Sequence, residues 1–397
     1  MLGSIYIGLS GMNAYSKGLQ TISNNVANLN TTGFKANSVS FADVAREGDD
    51  GLTFAEGHAS NGGDGVTTAP ALIDFSQGDL RQTGNDLDLA IKGSGFLVLE
   101  KDGNTYYART GQFEIDKDGY ISQQGTGYHL GVLDASGHAA ALNVDAKRTS
   151  SPQATTKITF ADNLSSTATE ASVTDVAVYD NRGGKQVWTI KFTKATDPTL
   201  VNSWNVTVTD ATGRQVGTSM LKFLGSTVDP TTTTLTITDT PPGADPLSVT
   251  LDFSKGITSF SSGTTSTLRA GNVDGRGVGA LATAAVDESG KIKLSYSNSQ
   301  TELLGAIAIA DFRDPQQLER FGDGLYRDRG GNGQIRLLPS GIDGIGTLVS
   351  KQVEASNVNL SEEFGELILI QRGFQASSPV VSISNDMIQQ LFGIKGQ

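Results

Sequence analysis

Apolar residues recur at every third or fourth position along the opening of the chain, at Leu2, Ile5, Leu9, Met12, Tyr15, Leu19, Ile22, Val26 and Leu29. Near the other end Leu360, Leu367, Phe374, Val381 and Ile388 repeat at intervals of seven, with Phe364 and Phe392 on a neighbouring row. These periods belong to helices that bury one stripe, in the manner of a coiled coil. Asn359, with Glu362 three residues later, reads as an N-cap and its capping-box partner. The spacing predicts helices of roughly 25 and 33 residues, about 37 and 50 Å long at 1.5 Å per residue.

The polar faces of these helices are unusual. The first 42 residues hold no Asp or Glu, and their only cations are Lys17 and Lys35. Asn13, Ser16, Gln20, Thr21, Ser23, Asn24 and Asn28 form the non-apolar side, where an ordinary solvated helix carries salt-bridging charge. Such a face is expected to meet other subunits or to line a neutral passage. Glycine adds a second constraint. Gly8, Gly11 and Gly18 lie inside the first helix and Gly365 and Gly373 inside the second, each costing roughly 0.8–1 kcal/mol relative to Ala. Small residues let helices approach closely, so the cost is recovered only on packing. Both termini are therefore expected to be largely disordered in the monomer and to fold on assembly. Ser378-Pro379-Val380 predicts a kink near Ser378, because Pro lacks the backbone donor and clashes with the preceding turn.

Between the ends the pattern changes to β. Residues 46–70, rich in Gly, Asp and Ala, read as an irregular linker. From 71 to 145 short runs such as Phe96–Leu99, Tyr106–Ala108 and Tyr120–Ser122 are separated by Gly turns. From 146 to 281 the chain is Thr- and Ser-rich with strict alternation. Trp188, Ile190 and Phe192 share one face, as do Trp204, Val206 and Val208, and Leu247, Val249, Leu251 and Phe253. The earlier pattern resumes at Ile292–Tyr296 and Leu303–Ala310. The predicted fold is mainly β with long α-helical termini, in nested discontinuous domains. Residues 1–30 and 357–397 form a terminal helical domain, 31–70 a linker, 71–145 and 282–356 a split β-domain, and 146–281 an inserted β-domain. A total of 397 residues accommodates two to three domains on a prior of ~150 residues each.

Composition narrows the chemistry. The chain carries 48 glycines and a net charge of −12, with no stretch dense in Lys and Arg. Neither nucleic acid nor an anionic membrane is an expected partner, because counterion release needs clustered cations. No Cys is present, which removes disulfides and thiolate chemistry. The opening lacks the cationic and apolar regions of a Sec-type signal peptide, and apolar runs such as Leu367–Ile370 fall far short of the ~20 residues that span a bilayer. No nucleotide-binding or hydrolase motif is found. His58, His129 and His138 sit in Gly-rich turn regions and read as turn or surface residues. Asp116-Lys-Asp118-Gly119 reads as a β-turn, since Gly125 stands where a calcium loop places its bidentate Glu. Gly341-Ile-Asp-Gly344-Ile-Gly346 opens no nucleotide-binding unit. No catalytic residue, metal or cofactor is expected. A carboxylate pair of the glycosidase kind, in a secreted carbohydrate-active β enzyme, is the alternative that the acidic β regions leave open.

Four strings carry a resemblance. The first is Ser23-Asn24-Asn25-Val26-Ala27-Asn28-Leu29-Asn30-Thr31-Thr32-Gly33-Phe34-Lys35, in which Asn and Gly supply the freedom that ends a helix and Lys35 is expected near its C-terminal dipole. The second runs from Asp74-Phe-Ser-Gln-Gly78 through Thr83-Gly84 to Leu87-Asp88-Leu89-Ala90-Ile91-Lys92-Gly93-Ser94-Gly95-Phe96. The third is Tyr107-Ala-Arg109-Thr-Gly111-Gln-Phe113 with Asp116 and Gly119, and the fourth Glu354-Ala-Ser356-Asn357-Val-Asn359-Leu360 continuing to Gln371-Arg372-Gly-Phe374-Gln375-Ala376. In order and spacing they resemble the flagellar rod and hook axial proteins over most of residues 1–145 and 282–397.

Size, with one inserted β-domain, is similar to the hook members of that family; a distal-rod member is the alternative. The inserted domain shows no recognised motif, so its assignment rests on position and size. The resemblance implies a subunit of a curved helical tube that transmits torque as a universal joint. It would lie outside a bacterial cell, exported by the flagellar type III route without a cleaved signal. Implied partners are further copies of the chain, the distal rod protein, the hook cap protein, the hook–filament junction protein and the export apparatus. Subunit packing would then fall to Leu2, Ile5, Leu9, Met12, Leu19, Ile22, Val26 and Leu29, with Leu360, Phe364, Leu367, Phe374, Val381 and Ile388. Asn24, Asn25, Asn28, Gly33, Phe34, Gln371 and Arg372 carry the family motif.

Overall fold

Two periodicities in the sequence become two kinds of structure in the computed structural model, which describes residues 2–44, 65–197, 199–240 and 245–394. The 3.6-residue period yields α1 (Leu2–Ala27) and α2 (Leu360–Ile394). The period of two yields strands throughout the interior of the chain. The chain divides into two compact units. One comprises Met1–Asp145, Ala284–Lys293 and Leu303–Gln397, and the other Ala146–Thr283 and Leu294–Glu302.

In the first unit a twelve-stranded sheet runs, along its main path, through the strands 318–322, 325–328, 104–108, 96–101, 129–133, 121–123, 110–115, 88–92 and 347–350. Asp88–Ile91 and Phe96–Leu99 are buried on both faces, which is why these segments read as continuous apolar runs rather than alternating ones. Gly95 joins them at φ +108, where a Cβ would lie 2.7 Å from Ile309. Phe96, Tyr107, Phe312 and Tyr326 fill the core edge to face, Tyr107 and Phe312 with centroids 4.7 Å apart. The described parts of the predicted linker are more ordered than an irregular segment. Phe41–Asp43 pairs antiparallel with Val66–Thr68, and Asn37 bridges Ile73. Val39 and Phe41 supply the reason, for both lie against Gly18 of α1 and the Phe41 ring packs 5.2 Å from that of Tyr15. Residues 45–64 lie outside the described residues.

The second unit encloses one core between two five-stranded sheets. One is an antiparallel meander of strands 170–179, 185–194, 203–210, 215–224 and 227–228. In the other, strand 157–163 runs parallel to 247–252 and 257–258 and antiparallel to 269–273. Every residue on the three alternating faces named from the sequence is buried, from Trp188 to Phe253.

One turn recurs five times among the described residues, at Asp116, Asp134, Asp180, Asp210 and Asp287. In each the Asp Oδ1 accepts from the backbone N–H groups two and four residues on. A glycine three residues after the Asp adopts positive φ. The shared string Asp-x-x-Gly was available in the sequence as a hairpin signal. For Asp116 it spends the carboxylate on its own loop.

Candidate assembly surface

The two terminal helices pack on each other, and the residues that let them do so are the glycines. A Cβ on Gly8 would stand 2.8 Å from Val381, one on Gly11 2.8 Å from Ser377, one on Gly18 2.8 Å from Ile370, and one on Gly373 2.4 Å from the Tyr15 ring. As the position on α1 rises from 8 to 25, its partner on α2 falls from 381 to 363, so the helices are antiparallel. Of the glycines expected to weaken the helices, all but Gly365 are thus the floor of the seam. The expectation that both ends order only on assembly meets a helix pair whose seam lies within one chain. α2 continues through Pro379 without interruption, although the imino nitrogen leaves one carbonyl without its helical donor.

Because glycine and serine occupy the seam, much of the predicted apolar stripe is left outside. Ile22 is fully buried, while Ile5, Met12, Val26, Leu29, Leu367, Val381 and Ile388 are half-buried. Leu9 is 57% exposed and Phe374 39%, and Leu19, Leu360 and Phe364 are also exposed. The side chains of Leu2 and Phe392 lie outside the described residues. Further apolar groups that the heptad reading did not select join this surface: Tyr6, Ile7, Ile368, Leu369 (70% exposed), Val380, Ile383 and Met387. Tyr15, Ser16, Leu19, Ile370, Gln371 and Phe374 line a groove of about 410 Å³ between the helices, with no charged residue on its walls. An apolar surface of this kind, with a charge-free groove in it, marks an interaction site on a protein.

The family-motif residues divide between this surface and a buried clasp. Gln371 and Arg372 are exposed on α2. At the end of α1, Asn28 donates to the Asn24 carbonyl at 2.9 Å and accepts from Thr31 at 3.0 Å, closing the helix. Asn25 is buried; its amide pairs reciprocally with the backbone of Asn37 at 2.9 and 3.0 Å and donates to Glu363 at 2.8 Å. α2 is capped by Asn359, whose Oδ1 accepts from Ser361 N at 3.1 Å. The acid that reaches back to α1 is Glu363, whereas Glu362, the expected capping-box partner, is exposed.

Lys35 corrects the sequence reading most sharply. It is not at a helix dipole but fully buried, its ammonium 2.6 Å from Glu354 and also bonded to the Ser76 carbonyl. Glu354, fully buried too, accepts from Gly78 N at 2.8 Å and from Arg109 Nε at 3.3 Å. Its carbonyl accepts from Gly33 N at 2.8 Å, with Gly33 at φ +70. Arg109 donates onward to the carbonyls of Gly93 and Gly95. Gln77 locks the same loop, accepting from Gly93 N and donating to the Ile91 carbonyl. Asn357 accepts from Ala36 N at 2.8 Å and donates to the Asp74 carbonyl at 2.8 Å. Arg320 lies 4.6 Å over the buried Phe34 ring. All four sequence strings therefore meet at one place, where the chain leaving α1 and the chain entering α2 are tied to the sheet. Burial pushes the Lys35 amine down from its ordinary value, and the Glu354 charge and hydrogen bond oppose the shift.

Candidate catalytic chemistry does not assemble. His129 stacks on Tyr120 at 4.5 Å and lies 3.6 Å from Asp116, on the rim of a turn. His58 lies outside the described residues. Among the described residues no group of three or more His, Asp or Glu is placed to hold a metal ion, and no helix is long and apolar enough to cross a membrane.

Four family models match in chain order: flagella basal body rod protein over residues 5–35, the flagellar hook protein FlgE/F/G D1 domain over 90–171, the flagellar basal body protein FlaE D2 domain over 143–303, and the flagellar basal body rod FlgEFG protein C-terminal region over 349–394. Curated relatives include the flagellar hook protein FlgE of Borreliella burgdorferi, 28% identical over 100% of both chains. The Escherichia coli protein of that name is 29% identical over 98% of both. Among solved structures, flagellar hook protein FlgE2 of Helicobacter pylori aligns with 69% of this chain and 100% of its own, at a TM-score of 0.48 and 15% identity. The glycine-floored helix pair, the clasp built from all four strings, the four family models in chain order and the curated relatives matched from end to end have one conclusion: the chain belongs to the flagellar rod and hook axial protein family.

Proposed function

We infer that the chain is the structural subunit of the bacterial flagellar hook, polymerising into a curved helical tube that passes torque from rod to filament. The observation that carries this reading is the apolar surface, with its charge-free groove, left on the helix pair after its internal seam is filled. A monomer gains nothing by exposing Leu9, Leu369 and Phe374 to water, at roughly 25 cal/mol per Å² of apolar area, whereas copies stacked on that surface bury it in every subunit. Relatives named as hook proteins, matched over their whole length, support the same function.

In this reading residues 1–30 and 357–397 form the inner tube around a neutral channel, the split β-domain a middle layer and residues 146–281 an outer one. The compact unit that begins at Ala146 supports reading the insert as a module of its own. The subunit joins the distal rod protein below, grows beneath a cap protein and meets the junction protein above. It leaves the cell unfolded through the flagellar export apparatus, and it catalyses no reaction. Electron microscopy of the purified chain tests the polymer: tubes are expected, and a persistent monomer with hydrolase activity would overturn it. A strain deleted for the chain is expected to stop at a rod lacking hook and filament.

A further inference from the structure

Glu363 is the buried acid whose bonding is left unfinished. It is 8% exposed, and its Oε1 accepts from Asn25 at 2.8 Å. Its Oε2 is buried without a hydrogen-bond partner among the described residues. The charges around it offer no relief. On its own helix it has Glu362 and Glu366 beside it, both of like sign. From α1 it meets Asn25, and the sole charge on that helix, Lys17, sits about two turns away. In the segment that follows α1, Lys35 is held by Glu354 and the Ser76 carbonyl. Arg320 is engaged with Lys35 O and Asn37 Oδ1.

We propose that Glu363 is a proton-operated latch on this end of the helix pair, loosening it as a carboxylate and closing it as the neutral acid. A buried charge with one amide donor and an empty second oxygen opposes packing, whereas the neutral acid asks only that one weakly polar oxygen go unpaired. Burial pushes the carboxyl above its ordinary range against the Asn25 hydrogen bond, and Glu366 and Glu362 add to the rise. The N-terminal turn of a helix favours a carboxylate and so works against the rise. For an acid raised in the folded state, the added stability is fully present below the unfolded pKa and is lost as pH rises through the folded one. The latch opens as pH rises through the folded pKa. Acidification closes it, in the single chain and whether or not that chain builds a hook.

Amide exchange in the full-length protein, corrected for the chemical rate, tests the latch at about pH 7.5 and about pH 5. Protection over residues 19–27 and 360–370 is expected to rise on acidification. The rise approaches about tenfold for each unit by which the folded pKa exceeds the unfolded one. Strand 185–194 serves as the unaffected control. Glu363→Gln, which keeps the shape without the charge, is expected to be protected and flat across the same range. Protection in the wild type that ignores pH, or a Glu363→Gln variant that follows it as the wild type does, would overturn the latch. Should that variant fail to fold, carbon-13 titration of the wild-type carboxyls decides the matter: a Glu363 midpoint at or below that of exposed Glu362 refutes the proposal.

Discussion

At the scale of single residues, position relative to the seam decides whether a glycine is an asset or a weakness. Gly365 has open space around its missing side chain, while Gly373 faces the Tyr15 ring. Gly365→Ala is therefore expected to stabilise α2 by about 0.8–1 kcal/mol through helix propensity alone. Gly373→Val should cost about 1–3 kcal/mol by overpacking and abolish tube growth. Helix protection by amide exchange and tube length by electron microscopy measure the pair; equal effects at both sites would mean that the seam is elsewhere. Lys35→Met should cost about 3–5 kcal/mol, because it leaves the buried Glu354 carboxylate without its ammonium partner. Urea unfolding checks this, and a change under about 1 kcal/mol would put the clasp on the level of a surface ion pair. Asp252 belongs to the same scale. Burial raises its carboxyl, but Lys157 at 2.5 Å and Ser254 outweigh it and hold the group at about 2. Stability from a depressed acid is present above its unfolded pKa and lost as pH falls through the folded one. The unit containing residues 146–283 should thus lose this contribution progressively between about pH 4 and about pH 2, measured by urea unfolding followed by Trp188 and Trp204 fluorescence.

Elements show why the terminal helices were legible and their packing was not. Periodicity placed α1 and α2 to within a few residues, because a stripe every three or four positions is a property of one helix. Which stripe meets the partner depends on both helices at once, and glycine carries no hydropathy to betray a seam. Phe374 illustrates the outcome: it lies on the heptad row yet is part of the groove wall and 39% exposed. Phe374→Asp is expected to leave the monomer folded and to stop assembly, since the charge would be buried only between copies. Normal-length tubes from this variant would remove Phe374 from the interface. Deleting 1–30 and 357–397 should leave a soluble monomer with intact β structure, for Lys35, Arg109 and Glu354 all remain. Amide exchange of the full-length monomer should show the helical ends far less protected than strand 185–194. Equal protection would mean that the seam alone orders them.

For the whole molecule, the inserted segment is expected to separate building a tube from bending it. Residues 146–281 leave and re-enter the chain within one β pattern, and a core of that size can fold alone. Their Thr- and Ser-rich surface suits modest polar contacts that slide as the joint turns. Replacing 146–281 with a short Gly-Ser linker should leave export and polymerisation working but give straight or altered hooks and poor motility. Hook shape by electron microscopy and swimming speed measure this. Normal curvature with normal swimming would assign bending to the inner layers, and complete loss of hooks would show that the insert builds the tube.

The sequence by itself determined the elements and their order: helices at the ends, strands between, and a core face in the inserted segment on which every residue named in advance is buried. Local periodicity suffices for that, since each repeat is read within one element. It also held the four strings that meet at the clasp, and Lys35, Arg109 and Glu354 stand plainly within them. What only the tertiary structure decided is that these three bury one another. Glu354 lies 319 residues from Lys35 along the chain yet 2.6 Å from it in space. A lysine that reads as a helix-end cation becomes an interior one only when a distant carboxylate is brought to it, and no local pattern records that distance.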